Sequence, residues 1–278
     1  MLDPFNLPYV QEGLIEILLL SVAAGLIGPW IVLRGLSFYS HAIGTAAFPG
    51  LVLADGIGFS AALGAFGMAG VFTLLSSLIS RSRRASTDSV TALALVTCLA
   101  AGVILASDVF ESGANIDTLL FGSLLAIGPA DIWLAAGAAV LALIATVLCS
   151  NRWLAKGFDE TSAPTLRSGS AWLDVILFAV VAVTVTASLS AVGALLVSAL
   201  MVIPAATVRL FAGRVGSLQA GTVLLVAAEG TLGLWLSVKT NAPPGATVAV
   251  VSGAVFALAL LVRQAGRLRV ARRYARTA

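Results

Sequence analysis

The 278-residue chain contains one histidine, His41, and it is the best soft ligand available. A neutral imidazole suits zinc or manganese. A single histidine cannot complete an H-E-x-x-H metal motif. Glu229 lies in the middle of the apolar stretch from Leu224 to Leu236. An ionised carboxylate at that depth is costly, so Glu229 should face the interior of a bundle. It serves there as a ligand, as a protonated acid, or as the partner of a hydroxyl such as that of Thr231. Asp55, Asp108, Glu111 and Asp117 gather on one side, either as a cation-attracting vestibule or as a solvated rim. No Ser/His/Asp or paired-carboxylate arrangement supports an enzyme. The pattern G-x-x-x-x-G-K is absent, and neither lysine, Lys156 or Lys239, follows a glycine. The chain is therefore expected to bind no cofactor of its own. If ATP drives it, ATP and magnesium sit on a partner subunit.

The elements that must position these residues follow from composition. Hydrophobic residues make up 59% of the chain and charged residues 10%, and the mean hydropathy is +1.04. Soluble domains carry about 25% charge, so a soluble enzyme, a disordered chain and a nucleic-acid partner are excluded despite the formal charge of +3. Cys98 and Cys149 lack C-x-x-C spacing and read as small buried hydrophobes. Long unbroken apolar runs, rather than alternation, exclude a β-barrel.

The expected fold is an all-α, polytopic membrane bundle forming one domain over residues 1–278. Spans fall at about 14–33, 41–57, 59–79, 89–107, 130–149, 172–189, 191–208, 217–238 and 245–262, close to the ~20 residues that cross a bilayer. Residues 118–128 are apolar but too short to cross, and read as a half-helix or re-entrant piece. Gly44, Pro49 and Gly50 interrupt the second span. Glu229 is the one carboxylate read as intramembrane. No Lys or Arg precedes Arg34, so the first run is read as a retained span rather than a cleaved signal. Nine spans with the N-terminus outside place every basic residue except Lys239 on the cytoplasmic side, including the tail 263–278.

Four blocks carry the most specific pattern. They are Val32–Phe38 with Ala46-Ala47-Phe48-Pro49-Gly50; Asp117–Ser123; Gly193–Thr207, ending Pro-Ala-Ala-Thr; and Gly233–Ser237 followed by Pro244-Gly245-Ala246. In order and spacing they resemble the permease subunits of the zinc/manganese/iron ABC importers. The resemblance implies a homodimer in the bacterial inner membrane. It further implies cytoplasmic ATPase subunits and an extracytoplasmic binding protein as partners.

It also implies site residues. The loop 150–171, with Phe158, Asp159, Glu160 and Gly169, matches the short cytoplasmic helix that docks into the ATPase. Asp159 and Glu160 would favour a helix start, whereas Pro164 limits that helix's length. The family usually carries an Asp and a His four residues apart before the Ala-x-Phe-Pro-Gly string, on one helix face. Here those positions are His41 and Thr45, roughly 9 and 15 Å into the bilayer at ~1.5 Å per residue. The expected path residues are His41, Thr45 and Glu229, with His41 as metal ligand. The lost carboxylate leaves an organic or chelated substrate as the alternative cargo. An ion-coupled carrier would instead show paired intramembrane charges and an inverted repeat.

Overall fold

The computed structural model describes residues 7–80, 87–109, 122, 127–158, 171–194 and 196–277. Among them every regular element is helical. We label the helices α1 (Pro8–Leu33), α2 (Ser37–Ala46), α3 (Phe48–Ile57), α4 (Ala61–Ser80), α5 (Thr87–Ile104), α6 (Pro129–Phe158), α7 (Ala171–Ala187), α8 (Leu189–Val192), α9 (Val197–Arg209), α10 (Val215–Thr240) and α11 (Pro244–Thr277). A π turn, Leu105–Val109, prolongs α5. By length and composition Pro8–Leu33, Pro129–Ala155, Val215–Thr240 and Pro244–Gly266 can each cross a bilayer.

Local sequence explains where the chain breaks. α1 ends because Gly35 takes φ +67° and lets Leu36 N–H donate to Ile31 O at 2.8 Å, the left-handed stop that glycine allows without a Cβ clash. The expected interruption of the second span is a break at Ala47, between α2 and α3. Pro49 sits in the first turn of α3. It has no N–H to offer the carbonyl four residues back, that of Thr45, so one continuous helix is disfavoured. The run 191–208 is likewise not one helix: α8 stops at Val192 and α9 starts at Val197, with Gly193 at φ +84° and ψ 158° between them. α6 opens with Asp131 Oδ2 accepting the Gly128 N–H at 3.0 Å, which satisfies one of the donors exposed at a helix start. At the other end of the chain, α11 continues as helix into the basic tail instead of ending with its span.

α1 is the centre of the bundle and packs on α6, α9 and α10. Its buried face runs through Leu20, Ala24, Ile27 and Ile31. Small residues set the helix spacing, as expected where lipid supplies no hydrophobic drive between helices. A Cβ on Gly25 would strike the Val223 backbone of α10, and one on Gly230 would strike Ile17 of α1. Gly25 therefore lies beside Val223 and Ile17 beside Gly230, so α1 and α10 run antiparallel. α3 and α4 meet backbone to backbone through Gly50 and Gly64.

One end of the bundle is tied by polar and aromatic contacts. Arg34 Nη2 pairs with Asp174 Oδ1 at 2.9 Å. Trp30 and Trp153 meet edge to face, with ring centroids 5.4 Å apart. The Trp153 Nε1–H donates to Leu173 O at 3.0 Å, and Arg209 Nη1 donates to Val32 O at 3.2 Å. The C-terminal ends of α1 and α9, the Trp153 turn of α6 and the start of α7 thus share one end.

Candidate functional site

His41 stands on α2, six residues before the Ala47 break, and α2 packs against α9. The approach is close because Gly44 has no side chain. A Cβ there would come within 2.7 Å of Val197 Cγ1 and 2.9 Å of Ala194 O. That contact lays the first helix break against the second. It also brings His41 Nδ1 to 3.0 Å from the hydroxyl of Ser198, in the first turn of α9. His41 is half-buried.

Thr45 lies one turn further on and is buried, and its hydroxyl donates to His41 O at 3.2 Å. The expected helix-face pair thus exists, but the threonine proton is spent on its own helix. Lone pairs on the Thr45 hydroxyl and the Thr45 carbonyl opposite Pro49 are the oxygens nearest to hand in sequence. Among the described residues no group of three or more His, Cys, Asp or Glu side chains could hold a metal ion.

Glu229 is buried on α10, as its mid-span position requires, and of the readings open to it the pairing with a hydroxyl is met by a residue other than Thr231. The Thr231 hydroxyl turns back to Ala227 O at 2.7 Å. Such a bond four residues back is the common fate of a helical threonine. Ser252 of α11 donates to Glu229 Oε2 at 2.6 Å instead, and Glu229 Oε1 meets no hydrogen-bond partner among the described residues.

Glu229 is also not the only intramembrane acid. Glu16 on α1 is wholly buried. Its Oε1 accepts from Ser190 of α8 at 3.4 Å, and its Oε2 meets no partner among the described residues. The contact of Ile17 with Gly230 puts Glu16 and Glu229 at one level of the bundle. The signal for Glu16 was in the sequence, as an acid inside the apolar run 14–33. Ser198 had no such signal, because a serine in an Ala/Leu helix reads as packing.

Of the acidic rim, Asp55 is exposed near the end of α3. Glu111 and Asp117 lie outside the described residues, and so do Asp159, Glu160 and Gly169 of the expected docking loop. Phe158 is the last residue of α6. Of residues 118–128, Gly122, Ile127 and Gly128 are described, and Gly122, at φ +74°, presses on the backbone of Ala191–Gly193, where a Cβ would come within 2.5 Å.

Among the described residues, four helices long and apolar enough to cross a bilayer give the chain the make-up of a multi-pass membrane protein. Residues 6–263 match the ABC 3 transport family. The chain belongs to that family. It is 29% identical over 252 residues to the manganese transport system membrane protein MntC of Halalkalibacterium halodurans, covering 90% of this chain and 86% of that protein. It is 26% identical over 259 residues to the chelated iron transport system membrane protein YfeC of Yersinia pestis, covering 92% and 87%. In fold it matches PsaBC from Streptococcus pneumoniae in complex with Fab, with a TM-score of 0.82, 24% identity and 91% of each chain covered.

Proposed function

We propose that this chain is the permease subunit of an ATP-driven bacterial importer and forms the path for a divalent transition metal: manganese, iron or zinc. The carrying observation is His41, the sole imidazole, held by Ser198 where the two broken helices meet. An imidazole with one nitrogen tethered and the other unassigned is suited to bind a passing cation. The helix breaks leave backbone carbonyls to complete its coordination, as in other transporters with discontinuous helices. Glu229 is the second group on the path, since one of its oxygens is buried without a partner among the described residues. The names of the relatives, manganese and chelated iron transport proteins, favour this cargo.

Two copies of the chain form the path, bound to two ATPase subunits and fed by an extracytoplasmic binding protein. ATP and magnesium belong to the ATPase. The chain crosses the inner membrane nine times, with its N-terminus outside and its C-terminus in the cytoplasm. Supporting this, Arg34, Trp153, Asp174 and Arg209 all meet at one end of the bundle. Residues 150–171 dock the ATPase, and 263–278 form a cytoplasmic basic extension.

The test is metal uptake by cells carrying the whole transporter. His41→Ala should cut manganese or iron uptake at least tenfold while the protein stays at its normal level in the membrane. His41→Asp with Thr45→His should recover or exceed the native rate. A transporter that ignores manganese, iron and zinc, and gains nothing from the double change, overturns the metal reading. A chelate would then be the cargo, which the Thr45 hydroxyl turned to its own helix and the lack of a three-ligand cluster among the described residues favour.

A further inference from the structure

We infer that Ser198 is a positioning residue for transport: it sets which nitrogen of His41 faces the cargo. The inference rests on the reading of His41 as the cation contact. His41 Nδ1 lies 3.0 Å from Ser198 Oγ. A neutral imidazole carries one proton, so one ring nitrogen donates and the other accepts. A serine hydroxyl can take either role. If it donates to Nδ1, the proton sits on Nε2, and that nitrogen has no lone pair for a cation. If it accepts from the Nδ1–H, the Nε2 lone pair is free. A cation on Nε2 therefore selects the second arrangement, in which the Nδ1–H donates to the serine oxygen, and the serine accommodates either tautomer because its hydroxyl can rotate.

The surroundings hold both partners for this task. Ser198 sits in the first turn of α9, just beyond the second break, and His41 sits six residues before the Ala47 break. Gly44 keeps α2 and α9 close enough for a side chain as short as serine to reach the ring, through its approach to Val197 and Ala194 O. The Thr45 hydroxyl, the neighbouring alternative, is spent on His41 O. The aromatic residue nearby in sequence, Tyr39, is also occupied, with its hydroxyl 3.1 Å from Thr73 Oγ1. Ring-orienting partners of metal-bound histidines typically contribute about 10–100-fold in affinity.

The experiment is equilibrium binding of manganese chloride to the purified permease–ATPase complex in lipid nanodiscs. Ser198→Ala should weaken manganese binding about 10–100-fold, leaving the yield and the ATP-binding stoichiometry of the complex at the native level. Ser198→Thr, which keeps a hydroxyl at the same place, should bind within about threefold of the native complex. Native affinity in Ser198→Ala, with binding lost in His41→Ala, overturns the positioning role and leaves the path reading standing. A serine needed only for packing would instead give equal loss of complex yield in the Ala and Thr variants, and that result also overturns the inference. Native binding in His41→Ala, or no manganese binding by the native complex, removes the metal reading and this inference with it.

Discussion

At the scale of single residues, His41, Glu229 and Glu16 are each held by a serine hydroxyl, whereas the Arg34–Asp174 pair is ionic. Ser198 meets His41, Ser252 meets Glu229 and Ser190 meets Glu16. A buried ion pair must recover a large desolvation cost through its geometry. A hydroxyl holds a side chain in place yet leaves its second polar atom available, as Glu229 Oε1 and Glu16 Oε2 show. For Glu229 this gives a sharp test. Glu229→Gln keeps an oxygen for Ser252 and removes the charge, so a path carboxylate should lose at least about fivefold in metal uptake at normal membrane level. A loss below twofold would take Glu229 off the path. The need to bury Glu229 was legible from its place in the chain. Its partner was not, because Thr231 is a sequence neighbour while Ser252 comes close only through the packing of α10 on α11.

At the scale of elements, two of the four motif blocks legible in the sequence contain interruptions of the helices. The Val32–Phe38 block contains the Gly35 stop, Ala46–Gly50 spans the α2–α3 break, and Gly193–Thr207 opens on the second break. Glycine, proline and small residues mark such places because the local backbone needs them. The sequence could not reveal that the two breaks lie against each other, since this depends on α2 packing on α9 across more than 150 residues of chain. Close approach is itself testable. A Cβ on Gly64 would collide with the Gly50 carbonyl. Gly64→Leu should therefore force α3 and α4 apart at a cost of about 1–3 kcal/mol. A thermal-stability assay of the detergent-solubilised chain should record a clear drop in midpoint. An unchanged midpoint would mean that α3 and α4 do not touch there.

At the scale of the whole molecule, the basic residues argue for one orientation, and reporter fusions can decide it. A reporter fused after Ala278 should be active only on the cytoplasmic side, and one inserted within 108–117 only on the outer side. Equal activity from both would overturn the nine-span arrangement. Coupling to the ATPase is a second property of the assembled particle. Reversing the charge of Asp159 and Glu160 together should reduce metal uptake at least fivefold while the chain remains at its normal membrane level. Native uptake in that variant would place the docking segment elsewhere.

The Trp153 bond to Leu173 O has a mechanical consequence. It clasps α6 to α7. Trp30 wedges the same clasp against α1, and Arg34 straps α1 to Asp174 near the start of α7. Three helices are thus riveted together at one end, and a displacement of any one of them there drags the other two along.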